Sequence, residues 1–207
     1  MTVRFIPGVA GYWWLFPRRD HVGVGICAPL AEVPTRQLLQ RLEREVGESF
    51  PRLAGSGLGR YAHTIPSPGK GAASLRAVAG ERWALVGDAA ALADPITGEG
   101  IYFALRSAVL LADTLLATGS PVAYPEALLQ DCGRELQRAA AIHDRFYAPG
   151  FAARMLRYSA RSVAVRRVLA DLVLGEQGYV GLKRRLLQAL PGLAWDSARS
   201  LLRSPGA

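Results

Sequence analysis

Three carboxylates and three glycines fall between residues 87 and 100, in the run GDAAALADPITGEG. The apolar residues Trp83 to Val86 ahead of them read as a buried strand that ends at Gly87-Asp88. A carboxylate at the C-terminal end of such a strand points into the crevice where open α/β sheets bind ligands. There it is an acceptor suited to sugar or polyol hydroxyls. Gly98 and Gly100 let backbone come within contact distance of a flat ligand. They also open a helix, whose N-terminus offers unpaired N–H groups and about half a positive charge. An anion, or a ring that becomes anionic on reduction, is stabilised at such a place. A flavin meets all three demands. The plain alternative is a strand, a turn capped by Thr97 and a helix, with no ligand at all.

The elements that must position these residues are strands first and helices afterwards. Residues 10–27, AGYWWLFPRRDHVGVGIC, hold two β-prone runs about Pro17-Arg18-Arg19-Asp20, a polar turn with proline where a strand must stop. Pro34 opens a helix through Val46, with Leu38, Leu39, Leu42 and Val46 on one face. Residues 51–59 read as a loop, 60–65 and 73–79 as short strands, and Pro-Ser-Pro-Gly-Lys-Gly at 66–71 as the linker between them. The strand at 83–87 follows, then a buried helix over about 98–117. After Pro121 the pattern predicts helices only, over 122–147, 150–174, 177–190 and 194–203. Pro149-Gly150, Gly175 and Pro191-Gly192 punctuate them. This order defines an α+β class.

A chain of 207 residues can bury a substantial core. Its most apolar stretch, Ile101 to Thr118, is interrupted by Arg106 and Asp113 and reads as a core helix rather than a membrane span. The N-terminal MTVRFIPGVAG has no apolar signal-peptide region, which makes a cytoplasmic location the default. Cys27 and Cys132 have no metal-ligand spacing and read as two buried thiols. His21, His63 and His143 are isolated, and neither a metal set nor a Ser/His/Asp arrangement emerges. The formal charge of +8 is unevenly placed. Residues 1–133 balance with twelve charges of each sign, whereas 134–207 carry thirteen basic residues against five acidic. Arg154, Arg157 and Arg161 share one helix face, and Lys183-Arg184-Arg185 follows. Such a face suits plain solvation, acidic groups on another polypeptide segment, or anionic lipid headgroups and a prenyl diphosphate. No recognition motif or stacking platform accompanies it, which argues against nucleic acid.

Residues 83–101 resemble the second FAD-binding motif of the geranylgeranyl reductase family, within a larger group of flavoproteins similar to aromatic hydroxylases. The resemblance implies FAD as cofactor. Asp88, beside Gly87, would bind the ribityl chain, and Pro95, Thr97, Gly98, Gly100 and Ile101 would line the isoalloxazine ring. Gly11 to Pro17, GYWWLFP, resembles the same family's Tyr-x-Trp-x-Phe-Pro signature; the Gly-x-Gly that follows in the family is here Gly25-Ile26-Cys27. Tyr12, Trp14 and Phe16 alternate and so share one face of a strand, by itself an ordinary core stripe. The resemblance turns that stripe, with Pro17, into a wall for an apolar substrate, while Trp13 and Leu15 face the other way. It covers roughly residues 1–190.

A flavoenzyme of this kind also needs a strand, Gly-x-Gly-x-x-Gly and a helix to hold the pyrophosphate. Gly23 to Ala28 match that pattern only formally, because Pro29 follows at once; Gly55-Ser56-Gly57-Leu58-Gly59 has the wrong spacing. The expected architecture is therefore α+β without the N-terminal Rossmann βαβ unit. It has a mixed β-sheet substrate region over 1–80, the distal FAD-binding strand and helix over 81–119, and a helical region over 120–207. That is about the C-terminal half of an enzyme, or one piece of a split one. The resemblance implies an FAD-dependent oxidoreductase reducing C=C bonds of a prenyl substrate, with no residue assigned as proton donor; the basic C-terminal face suggests peripheral contact with the inner face of an anionic membrane. Two other readings stay open: a flavin monooxygenase or halogenase acting on an aromatic, and a non-catalytic fragment that docks on a membrane or a partner chain.

Overall fold

The computed structural model describes residues 2–53, 55, 59–68, 73–148, 150–173 and 176–189. These form two compact units, one from residues 1–62 with 144–152 and the other from 63–143 with the residues from 153 onward.

The first unit is built on three antiparallel strands in the order β1 (Thr2–Phe5), β2 (Tyr12–Pro17), β3 (Val22–Cys27). The β2–β3 hairpin pairs Pro17 with Val22 and Tyr12 with Cys27, and the Arg18 N–H closes its turn on the His21 carbonyl at 2.8 Å. Strand alternation sends Trp13 and Leu15 to one face, where both are buried against Leu42 and Val46 of α1 (Thr35–Ser49). Pro34 precedes α1, where its missing N–H costs nothing. Trp13 has the largest buried side chain of the unit, and truncating such a residue to alanine costs about 3–5 kcal/mol. The sheet is antiparallel throughout, whereas the sequence suggested a mixed one. The short β1 was not foreseen; its Arg4 lies over the Trp13 ring at 5.4 Å and donates to the Ser49 hydroxyl at 2.8 Å.

The second unit is helical. It contains α2 (Ala73–Arg76), α3 (Ile101–Thr118), α4 (Tyr124–Leu128), most of α5 (Arg134–Tyr147) and α6 (Phe151–Arg161), and α7 (Val163–Val173), and residues 182–189 are helical too. Its main core joins Leu75, Val78, Ala90, Leu92, Tyr124, Leu128, Cys132 and Leu136. Between α4 and α5 the helix widens by one residue per turn over Leu129–Gly133, so 122–147 runs as nearly continuous helix. Gly119 (φ 70°) stops α3 in the left-handed conformation, and its N–H returns to the Leu115 carbonyl.

Several expected elements differ. Residues 60–65 are exposed and form no strand, and 73–76 are helical. The strand expected at 83–87 reduces to one isolated bridge, Ala79 with Ala84, after which Gly87–Ala90 form a 3-10 turn. A strand exists only as a ladder, and among the described residues no neighbouring strand offers 60–65 or 83–87 a row of donors and acceptors. The helix expected over 150–174 is two, because buried Ser162 breaks it and its hydroxyl caps α7 by accepting the Val165 N–H. The expected helix at 194–203 lies outside the described residues.

Helix α3 also departs from expectation. It was to be buried, yet only Ser107 and Thr114 are, while Ile101, Leu105, Val109 and Leu116 stand exposed. By length and composition alone it is apolar enough to cross a membrane. Its inner side packs on α4. Arg106 makes a two-pronged ion pair with Asp131, Nε to Oδ1 at 2.9 Å and a terminal nitrogen to Oδ2 at 2.5 Å.

Candidate functional site

Gly87 starts the site. Its φ of 54° lies in the left-handed region, and a Cβ there would sit 2.9 Å from the Ala104 side chain. Glycine alone turns the extended 84–86 segment sharply enough to project Asp88 outward. Two buried hydroxyls hold that turn. Ser107 accepts the Gly87 N–H at 3.0 Å while donating to the Ala104 carbonyl, and Tyr124 donates to the Leu85 carbonyl at 3.1 Å. Burial pushes the Tyr124 phenol above its ordinary value, which keeps it a donor.

The opposite wall is the loop from Asp94 to Gly100, organised by Asp94. This buried carboxylate accepts the N–H groups of Ile96 at 2.7 Å and Thr97 at 2.9 Å. Its own N–H donates to the Glu99 carbonyl, and its carbonyl accepts the Gly98 N–H, each at 2.8 Å. Gly98 has φ 69°, again a conformation that side chains oppose. Thr97 is not the cap of α3. Its hydroxyl accepts the Glu99 N–H, and the Glu99 carboxylate takes the Tyr102 amide at 2.7 Å, satisfying one donor of the helix end.

Between the two walls lies an open cavity of about 320 Å³ lined by Ile65, Asp88, Gly98, Gly100, Ile101 and Ala104. Asp88 is exposed; its backbone carbonyl accepts the Ala91 N–H at 3.0 Å, and its carboxylate makes no hydrogen bond or ion pair with any described residue. Its Oδ1 would lie 3.2 Å from a Cβ on Gly100, so the glycine leaves the space beside the carboxylate clear. The volume is at the low end for small-molecule sites and suits one ring system.

Of the expected cofactor residues, Asp88, Gly98, Gly100 and Ile101 meet at this cavity, Gly87 shapes it from behind, and Pro95 and Thr97 belong to its loop wall. The expected substrate residues lie in the first unit. Tyr12, Trp14 and Phe16 are half-buried and follow one another along β2 with tilted rings, centroids 5.7 and 6.3 Å apart, and Pro17 is exposed at its end. The Trp14 ring covers Gly25, where a Cβ would come within 2.1 Å of it. Sequence reasoning missed Ile65, Ala104, Ser107 and Tyr124. Ala104 and Ser107 had a signal, being four and seven residues past Gly100 and so on its helix face, with Ser107 the first hydroxyl along it. Gly23 to Ala28 lie in and just past strand β3, away from any helix start. Both cysteines are free thiols; burial first, and then the Asp131 charge, push Cys132 up to about 11, which leaves it unreactive at neutral pH.

No family model matches the chain, and no solved structure does. Curated relatives do match, and they are reductases by name. A geranylgeranyl diphosphate reductase of Synechocystis is 38% identical over 110 residues, covering 53% of this chain and 25% of the relative. A menaquinone reductase of Mycobacterium tuberculosis is 31% identical over 180 residues, covering 79% and 41%. A digeranylgeranylglycerophospholipid reductase of Methanospirillum hungatei is 32% identical over 106 residues, covering 50% and 25%. Their names are those of reductases of a prenyl diphosphate, a quinone and a lipid. The chain belongs to the geranylgeranyl reductase family, and these matches span a quarter to two fifths of the relatives' length.

Proposed function

We propose that this chain forms the ring-binding part of an FAD-dependent reductase acting on C=C bonds of prenyl groups. The observation that carries the reading is the cavity beside α3. It offers an unpartnered carboxylate, a wall free of side chains at Gly98 and Gly100, and the positive end of an 18-residue helix. Those features fit a flavin: Asp88 accepts hydrogen bonds from ribityl hydroxyls, Gly98 and Gly100 lie against the ring, and the α3 N-terminus favours negative charge on it. When bound, FAD supplies the hydride chemistry, and the protein supplies orientation and electrostatics. Ile65 and Ile101 give the cavity an apolar rim. Support for a prenyl substrate comes from the relatives' names, and the aromatic face of Tyr12, Trp14 and Phe16, ending at Pro17, is the apolar surface proposed to receive it.

The test is retention of FAD by the purified chain, read from the visible spectrum after removal of excess cofactor. The wild-type chain retains a protein-perturbed flavin spectrum. Asp88→Ala removes hydrogen bonds to a charged acceptor, worth about 1.5–3 kcal/mol, and weakens binding roughly ten- to hundredfold. A wild-type chain that retains no flavin sinks the reading.

A second feature adds a location. Arg154, Arg157, Arg161, Arg166 and Arg167 are exposed on α6 and α7, and none makes an ion pair with a described residue. We propose that this surface meets anionic lipid, placing the site where prenyl chains are found.

A further inference from the structure

We infer that Tyr179 is a positioning residue for the flavin cavity. It acts through Asp94 on the loop that forms the cavity's glycine wall and is itself anchored by Glu135. The inference rests on the flavin reading for its ligand, and on geometry alone for the loop.

Tyr179 and Asp94 are 85 residues apart in sequence, and both are buried, at 8% and 6% exposure. The Tyr179 hydroxyl donates to Asp94 Oδ1 at 3.2 Å. That same oxygen holds the amides of Ile96 and Thr97, while the Asp94 backbone holds Gly98 and Glu99. One residue thus ties down four of the next five, and the fifth is Pro95. A buried carboxylate is stable only where donors surround it, so the donors decide where it sits. Two of the three donors belong to the loop and move with it. Tyr179 comes from outside and ties the arrangement to the body of the unit.

Tyr179 is held just as deliberately. Residues 178–181 precede the helix at 182–189 and are not themselves helical, so their amides need acceptors. Glu135, near the start of α5, supplies them: its Oε2 accepts the Tyr179 N–H at 2.5 Å and the Val180 N–H at 3.2 Å. A Cβ at 178 would lie 2.5 Å from the Glu135 carboxyl group, so any side chain there would displace that carboxyl from the 179 and 180 amides. A continuous path therefore runs from α5 through Glu135, the 179 backbone and the Tyr179 ring to Asp94, and on to Gly98 and Gly100. If the path sets the wall, the left-handed conformation of Gly98 is held before any ligand arrives, which lowers the ordering cost of binding.

Tyr179→Phe in the full chain removes one hydroxyl and keeps the ring. Hydrogen exchange without ligand is expected to quicken about tenfold at Ile96, Thr97 and Gly98 and to stay unchanged at Leu128 and Leu136 in the core. FAD affinity is expected to fall about tenfold, with the spectrum of bound flavin relaxing towards that of free flavin. Glu135→Gln gives the same selective exchange in smaller measure. The double variant adds less than the sum of the two, as residues on one path must. Unchanged exchange at 96–98, or a rise spread equally over Leu128 and Leu136, overturns the inference. If Tyr179→Phe does not fold, Glu135→Gln decides by the same pattern. A selective rise in a wild-type background that binds no FAD keeps the positioning and sinks the flavin reading instead.

Discussion

Gly87 and Gly100 flank the same carboxylate, yet alanine fails at the two positions for different reasons. At Gly87 the backbone is left-handed and a Cβ meets Ala104 at 2.9 Å. The conformation costs a side-chain-bearing residue about 1–2 kcal/mol and the overlap about 1–3 more. Gly87→Ala is therefore expected to lower stability by about 2–5 kcal/mol, read as a fall in the thermal midpoint by circular dichroism. Gly100 has φ −126°, which any residue adopts, and its Cβ would crowd only the Asp88 carboxylate. Gly100→Ala should change stability by less than about 1 kcal/mol. FAD binding should nonetheless weaken roughly tenfold, because the acceptor is pushed aside. Equal loss of stability in both variants, with FAD binding following it, would contradict this division. The sequence marks these glycines by their spacing, but it cannot say which one bears strain. That depends on Ala104, which only the packing of α3 brings to Gly87.

The elements around the site hold together partly by charge, and the Arg106–Asp131 pair shows it most clearly. Hydrogen bonding to the Arg106 guanidinium holds the Asp131 carboxyl below its ordinary value of 3.8, against the opposing effect of burial and with a lesser contribution from the attraction of the Arg106 charge. A lowered folded-state pKa means the pair stabilises fully above that ordinary value and is lost as pH falls through the folded one. Urea midpoints of the wild type should thus fall faster below about pH 4 than those of Asp131→Asn, and the two should converge at lower pH. Both side chains are partly exposed, so 1 M KCl should shrink the difference at neutral pH. A constant gap between the two proteins down to pH 2 would show that the pair does not join α3 to the widened turn. The pair also shows what a sequence conceals at this scale. Arg106 interrupts an apolar helix, and its partner lies 25 residues away on a turn whose extra residue has no sequence signature. The β2–β3 hairpin was legible because both partners are adjacent and the proline turn fixes their register. Residues 60–65 and 83–87 have strand-like composition, but strand formation is a property of pairs, and composition does not reveal a missing partner.

At the scale of the molecule, the uneven charge does visible work. α6 and α7 together carry five exposed arginines, and their one acidic residue, Asp171, is already engaged by Arg185. Exposed Leu156, Tyr158 and Val163 lie among them. Arginine stems lie along apolar surface while their heads reach for charge, so such a surface suits the boundary of an anionic bilayer better than bulk water. Each basic residue near that boundary contributes about 1 kcal/mol, so replacing Arg154, Arg157 and Arg161 together by glutamine should weaken vesicle binding about a hundredfold. The measurement is flotation with vesicles of phosphatidylcholine containing 30% phosphatidylserine, as against phosphatidylcholine alone. The wild type should float only with the anionic vesicles and should be released by 0.5 M salt, since a Debye length of about 4 Å leaves little long-range attraction. Flotation on neutral vesicles, or persistence in high salt, would instead assign the contact to apolar surface. The exposed stripe of Ile101, Leu105, Val109 and Leu116 on α3 would then be its source, and charged substitution at Leu105 and Val109 would abolish it. The two surfaces make opposite demands on salt, so a single titration separates them.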